Sequence, residues 1–336
     1  MKQRLLKPSY GIAAGLIIIF ALLPLGIEGQ PYWLHVAIYT MWWMYMSQCW
    51  AISAQTRMYS FVHTAFLGAG AYTSTILFLN FGITPWLGTF GGVLVAMILA
   101  GILGWSGARF RMSPLSFVVL CLAMSFVFVV FAESMTITGH EEGLTIPFFK
   151  TDAANWQFLS KETHYYIMLI MLIGLMIVSQ FILSSKMGLY FKAIFENERA
   201  AAAAGVNVVR YKVMALVISA ALIAPAGTFW AQYAKFINPE GLLSVNMNIL
   251  MVLYGALGGL HTLWGPPLMA LLFTPLGEVV RAYLPSRLYG LEMIIVGVVA
   301  LFCILYMRWG VVNWFNDWKR ERHEAKIIAD SSDPET

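Results

Sequence analysis

KMGLYFKAIFENERAAAAAGVNVVRYK, residues 186–212, is the longest polar interruption in a chain that is otherwise close to continuous hydrocarbon. Apolar segments flank it at residues 164–183 and 213–230. At about 1.5 Å per helical residue, both are long enough to cross a bilayer. Lys186, Lys192, Arg199, Arg210 and Lys212 cluster in the interruption, which marks it as a cytoplasmic loop. Its middle, residues 196–204, is built of strong helix formers and stops at Gly205, the residue type that most readily ends a helix. A short charged helix outside the membrane is suited to docking against a cytosolic partner.

Composition agrees with that reading. Apolar residues make up 60% of the chain and charged ones 11%, where a soluble globule has about a quarter charged. Apolar runs near the spanning length recur throughout, so the expected fold is all-α, a polytopic transmembrane bundle. A barrel would instead show alternating segments of about ten residues. The net charge of +4 matters through its placement, and no nucleic-acid partner is expected. Cys49, Cys121 and Cys303 all lie in apolar runs without metal-ligand spacing and read as buried thiols.

The chain divides into about ten helices. A basic start (Lys2, Arg4, Lys7) precedes an apolar run at 10–25 with no cleavage site after it, read as a retained helix. Further helices are expected at 33–54, 61–81, 85–105, 114–132, 164–183, 211–233, 245–259, 266–280 and 291–306. Residues 133–163 form a long polar loop outside, 184–212 the cytoplasmic loop, and 311–336 a charged cytoplasmic tail beyond the 1–310 membrane domain. This topology places sixteen of the 21 Lys and Arg on the inner side, which puts both termini in the cytoplasm. If 245–259 and 266–280 form one re-entrant hairpin, the crossings drop to eight and the parity survives.

No phosphate-binding loop and no hydrolase or metalloprotease motif occurs, so nothing supports an ATPase or a catalytic or metal site within this chain. Two apolar stretches are rich in small and polar residues: Ser60 to Tyr72, with His63, Thr64, Phe66 and Gly70, and Tyr254 to Pro267, with Gly258 and Gly259. Glycine-interrupted helices can line a substrate path or simply pack closely. The aromatic residues Trp42, Trp43, Tyr45 and Trp50 read as helix or lipid contacts, and Trp33 and Trp86 as interfacial. Glu278 and Arg281, three apart, form a local ion pair.

With these residues in view, the sequence resembles permeases of the branched-chain amino acid ABC transporter family, nearer the LivM-like branch. Residues Glu196-Asn197-Glu198, Ala200-Ala201 and Gly205-Val206-Asn207 match its E-N-E-x-A-A-x-x-x-G-[IV]-N signature. Ser60, His63, Phe66 and Gly70-Ala71-Tyr72 match a second run, and Gly258-Gly259 with Gly265-Pro266 a third. Arg57, Val62 and His140 stand where the family has glycine, and Pro114 where it has an aromatic residue. Related permeases carry urea, short amides or other small organic acids.

The resemblance implies a coupling helix formed by Glu196, Asn197, Glu198, Ala200, Ala201 and Gly205. It would be seated on one of two separate ABC ATPase subunits that hydrolyse ATP, with no cofactor bound by this chain. It further implies a second homologous permease subunit, an extracytoplasmic substrate-binding protein, a bacterial-type inner membrane, and a substrate path along Ser60, His63, Thr64, Phe66, Gly70, Tyr72, Gly258 and Gly259. The competing readings are a stand-alone carrier or channel and a membrane-embedded transferase using His63 or His140.

Overall fold

The computed structural model describes residues 30–148 and 151–283, together with scattered positions within 20–26 and 290–305. The helices expected at 10–25 and 291–306, and the tail, lie largely outside these. Between them the chain is helical: α1 Pro31–Ala54, α2 His63–Phe81, α3 Pro85–Arg109, α4 Pro114–Ser134, α5 Lys161–Ser184, α6 Lys186–Glu196, α7 Glu198–Ala203, α8 Val208–Ala234, α9 Pro239–Leu242, α10 Val245–Gly258 and α11 Gly265–Tyr283. Two short strands, β1 Leu144–Thr145 and β2 Phe236–Ile237, pair antiparallel with Leu144 opposite Ile237. Among the described residues, five segments are long and apolar enough to cross a membrane: α3, α4, α5, α8 and Pro239–Gly258.

Local sequence explains the helix starts. Proline occupies the first turn of α1, α3 and α4, where its missing N–H has no helical partner to lose. Ser113, Ser160 and Ser244 accept from backbone N–H groups at the starts of α4, α5 and α10, the usual serine cap.

The core is built on α1. Trp42, Trp43 and Trp50 are buried, which makes them helix contacts. Trp42 stacks on Trp230 of α8 at 4.4 Å between centroids, and Trp43 meets Tyr254 edge-on. Pro225 interrupts the hydrogen-bond ladder inside α8. Trp42 Nε1 and Tyr45 Oη donate to the carbonyls of Ala226 and Leu222 on either side of it. Trp33 and Trp86 stay exposed, as interfacial residues do.

Helices α2, α3 and α8 pack almost backbone to backbone. A Cβ on Gly70 would collide with the Ala224 carbonyl, and one on Gly92 would sit 2.7 Å from the Gly70 Cα. This is close packing through small residues. The outward side of α3, carrying Phe90, Leu94, Ile98 and Ile102, is exposed and apolar, as lipid contact requires.

Candidate functional site

Gly88 of α3 lies against Ser74 of α2, and Gly92 against Gly70, which fixes an antiparallel register. Extending it puts His63, the first residue of α2, level with Leu99. That is about 15 Å along α3 from its Arg109 end. The chain therefore leaves helical geometry between α1 and α2 and resumes it partway through the bundle. Arg57, in this interruption, has φ +60°. Non-helical backbone at such depth needs protein partners, and side chains supply them: Trp50 Nε1 donates to the Ser60 carbonyl at 2.8 Å.

His63 is fully buried and tied at both ring nitrogens. Ser219 Oγ donates to the Cys49 carbonyl at 2.7 Å, so its oxygen is free to accept from His63 Nε2 at 2.6 Å. Nδ1 then accepts from Ser60 Oγ at 3.0 Å. Three helices and the interruption are thus held by one neutral imidazole. Beside it, Asn248 of α10 takes over as cap for α2, which has none of its own. Its Oδ1 accepts from the Thr64 N–H at 3.1 Å, and its Nδ2 donates to Thr64 Oγ1 at 2.7 Å and Ser125 Oγ at 3.1 Å.

Of the path residues drawn from sequence, the structure brings Ser60, His63 and Thr64 together and sets Phe66 edge-on to His63. Gly70 sits in the three-helix contact, and Tyr72 lies buried further along α2 with its hydroxyl unpartnered. Gly258 and Gly259 belong to a tight turn between α10 and α11. A Cβ on Gly258 would collide with Gly265, Gly259 has φ +98°, and Thr262 Oγ1 donates to the Gly259 carbonyl at 2.7 Å. Sequence reasoning assigned none of Ser219, Asn248 and Ser125 to a site; each is a polar residue inside an apolar run. His140 lies apart, exposed after α4, with Nδ1 facing the Glu133 carbonyl at 3.2 Å. Among the described residues no cluster of His, Cys, Asp and Glu could hold a metal.

The 186–212 stretch forms a knob of two helices, where sequence suggested one across 196–204. Asn197 breaks it, with extended backbone at φ −153°. Its Oδ1 accepts from the N–H groups of Arg199 and Ala200 at 3.0 and 3.1 Å, starting α7 afresh. Gly205, at φ +86°, ends α7, and Asn207 caps α8 by accepting from the Arg210 N–H at 3.0 Å. Lys212, buried, pairs with Glu198 at 2.6 Å. Ala201 is buried, while Glu196, Asn197, Ala200 and Gly205 are exposed.

The knob is tied to both interruptions through one ring. The Arg57 guanidinium lies 5.5 Å from the centroid of Phe195 and donates to the Glu196 carbonyl at 3.3 Å. His261, from the α10–α11 turn, meets the same ring edge-on at 4.5 Å. Burial, with Lys192 nearby, lowers the His261 pKa.

At the opposite end of the bundle, residues 135–148 and 151–160 fold over the helix ends. Trp156 stacks on Trp86 at 3.9 Å, and Ile146 donates to the Lys235 carbonyl at 2.8 Å. Under this cover seven buried polar atoms lack partners: Tyr72 Oη, Thr75 Oγ1, Trp156 Nε1, His164 Nε2, both amide atoms of Gln232, and Lys235 Nζ.

Apolar outer faces, several spanning helices and buried polar links at membrane depth define a multi-pass membrane protein with the build of a transport subunit. The chain belongs to the family described as branched-chain amino acid transport system / permease component, which it matches over residues 32–305. It is similar to the high-affinity branched-chain amino acid transport system permease protein LivH of Salmonella typhimurium, 24% identical over 243 residues, covering 68% of this chain and 78% of the relative. LivH of Escherichia coli K12 is likewise 24% identical, over 256 residues, with the same coverage. These likenesses do not specify the LivM-like branch. No solved structure matches the chain.

Proposed function

We propose that the chain is the membrane-spanning subunit of an ATP-driven importer in a bacterial-type inner membrane. It carries branched-chain amino acids or a related small polar solute, with urea and short amides as the nearest alternatives. A second homologous permease completes the path, two ABC ATPase subunits bind and hydrolyse ATP, and an extracytoplasmic binding protein delivers the solute. This chain binds no cofactor and catalyses no reaction.

The knob end is cytoplasmic, with both termini, and residues 133–163 face outward. The membrane domain runs to residue 310, followed by the tail. One observation carries the reading: α6 and α7 present exposed Glu196, Asn197, Ala200 and Gly205 on a capped, ion-paired scaffold that touches both helix interruptions through Phe195. An ATPase cleft closing on this surface shifts two packed arrangements of the bundle against each other. The cluster from Ser60 to Tyr72 and the Gly258-Gly259 turn are the parts of the path that such a shift moves.

Gly205→Trp tests this. A Cβ there meets open space within the chain, so the added bulk projects toward whatever seats on the knob. Loss of ATPase co-purification and of uptake is expected, with Gly205→Ala as the control for backbone strain at φ +86°. Unchanged assembly and transport by the Trp variant would count against the proposal.

A further inference from the structure

The outward face of α3 changes chemistry along its length. Phe90, Leu94, Ile98, Ile102, Trp105 and Arg109 follow one another at three or four residues, so they share one side of the helix. All six are exposed. The helix also carries an exposed tryptophan near each end, Trp86 at 42% and Trp105 at 53%. These stand about 28 Å apart along the axis, close to the ~30 Å of a bilayer's hydrocarbon, and tryptophan favours the two edges of that layer. Arg109, one turn past Trp105, lies about 6 Å further on, at the depth of the phospholipid head groups on the knob side.

Two more arginines come to the same level. The turn after α3 is tight: the N–H groups of Phe110, Arg111 and Met112 donate back to the carbonyls of Ser106, Ala108 and Gly107 at 3.1, 3.3 and 3.1 Å. Arg111 takes φ +51° within it, and Phe110 meets Trp105 edge-on at 6.4 Å. From the other side comes α8. A Cβ on Gly101 would lie 3.9 Å from Val217, and one on Gly104 3.5 Å from the Val213 Cα, an antiparallel register. Arg210, three residues before Val213 and on the same face, is therefore level with the last turn of α3. Arg109, Arg111 and Arg210 are all exposed, and no ion pair among the described residues involves them. Three guanidiniums without counter-charge at head-group depth call for an anion. The side chains beside them, Trp105, Phe110 and Leu115, are apolar and exposed, which suits an anion that brings its own hydrocarbon. Free phosphate and an acidic protein surface lack that hydrocarbon, and phosphatidylcholine cancels its phosphate with a cation of its own.

We propose that Arg109, Arg111 and Arg210 hold the head-group phosphate of an anionic phospholipid in the leaflet on the knob side, with an acyl chain laid along Ile102, Ile98 and Leu94. The inference is independent of the solute the chain carries and of any ATPase that seats on the knob.

The test uses the full-length chain, delipidated in detergent, with native mass spectrometry counting adducts of dioleoylphosphatidylglycerol and dioleoylphosphatidylcholine. Phosphatidylglycerol should bind at least about 10-fold more tightly, since each arginine at a membrane surface is worth roughly 5-fold toward an anionic lipid. Arg109→Gln should accordingly weaken phosphatidylglycerol about 5-fold, and the triple variant Arg109→Gln, Arg111→Gln, Arg210→Gln should bind the two lipids alike. Arg199→Gln, which removes the same charge from the knob, should change the affinity by less than about 2-fold. A loss in Arg199→Gln equal to that in Arg109→Gln would make the attraction diffuse and overturn the site. Equal binding of the two lipids by the wild type, or undiminished phosphatidylglycerol affinity in Arg109→Gln, would overturn it as well, and the single variant decides the matter if the triple one fails to fold. Displacement of the lipid by inorganic phosphate would show that hydrocarbon adds nothing and remove the lipid from the proposal. Loss of ATPase co-purification from the triple variant, with its lipid preference kept, would give the arginines to a protein partner instead.

Discussion

The His63 network and the Lys235 cluster are both buried and polar, yet they are finished to different degrees. Around His63 every nitrogen and hydroxyl of the Ser60–His63–Ser219 chain has a partner, down to the Cys49 carbonyl. Around Lys235 four side-chain atoms have none. A closed network fixes one arrangement of the helices and resists change, because breaking any member strands the next. The contrast separates a closed network from one whose polar atoms are left unpaired, although residue type alone marks His63 as the more chemical of the two.

The largest expected effect breaks the closed side. His63→Leu takes the acceptor from Ser60 Oγ and cuts the link to Ser219, which keeps only its bond to the Cys49 carbonyl, and should lower stability by about 2–4 kcal/mol, seen as a fall of several degrees in the Tm of purified protein. An unchanged Tm would mean that the network is not what holds the α1–α2 interruption. Asn248→Leu removes the cap of α2 and two further bonds and should cost about 2 kcal/mol, with faster amide exchange confined to the first turn of α2. Gly205→Ala should cost about 1 kcal/mol, since a Cβ has room there but the φ of +86° disfavours it. The readout is thermal unfolding with assembly unchanged.

On the open side the sign reverses. Gln232→Leu removes two unbonded atoms at similar volume and should be neutral or stabilising by up to about 1 kcal/mol. A drop comparable to that of His63→Leu would erase the distinction between the two clusters. The smallest effect is one of pH. The His261 pKa is lowered, first by burial and then by Lys192, so below about pH 6.5 the unfolded chain takes up a proton that the folded one resists. Stability should therefore decline as pH falls through that value, by a margin that His261→Gln removes in paired melts at pH 7 and pH 5.

Much of this was legible in sequence. The helix starts at Pro85 and Pro114 lie where proline and serine put them, Gly205 ends the knob, and Glu278 meets Arg281 at 3.4 Å. The hidden part depends on register between distant helices. Ser219 reads as one small polar residue in an apolar run until α2 is laid beside α8, and Asn248 becomes a cap only once α10 reaches the start of α2. Lys235 counted simply as a basic residue on the outer side, because nothing local says that its ammonium turns inward. Asn197 was the nearer miss: a run of helix formers hid a residue whose side chain caps α7.

Phe195 has a consequence for motion. Its ring is met by Arg57, from the first interruption, and by His261, from the α10–α11 turn. The two kinks of the chain share this single bearing, so neither can swing past the knob without disturbing the grip on the other. A displacement of Phe195 would therefore reach both places in the chain at once.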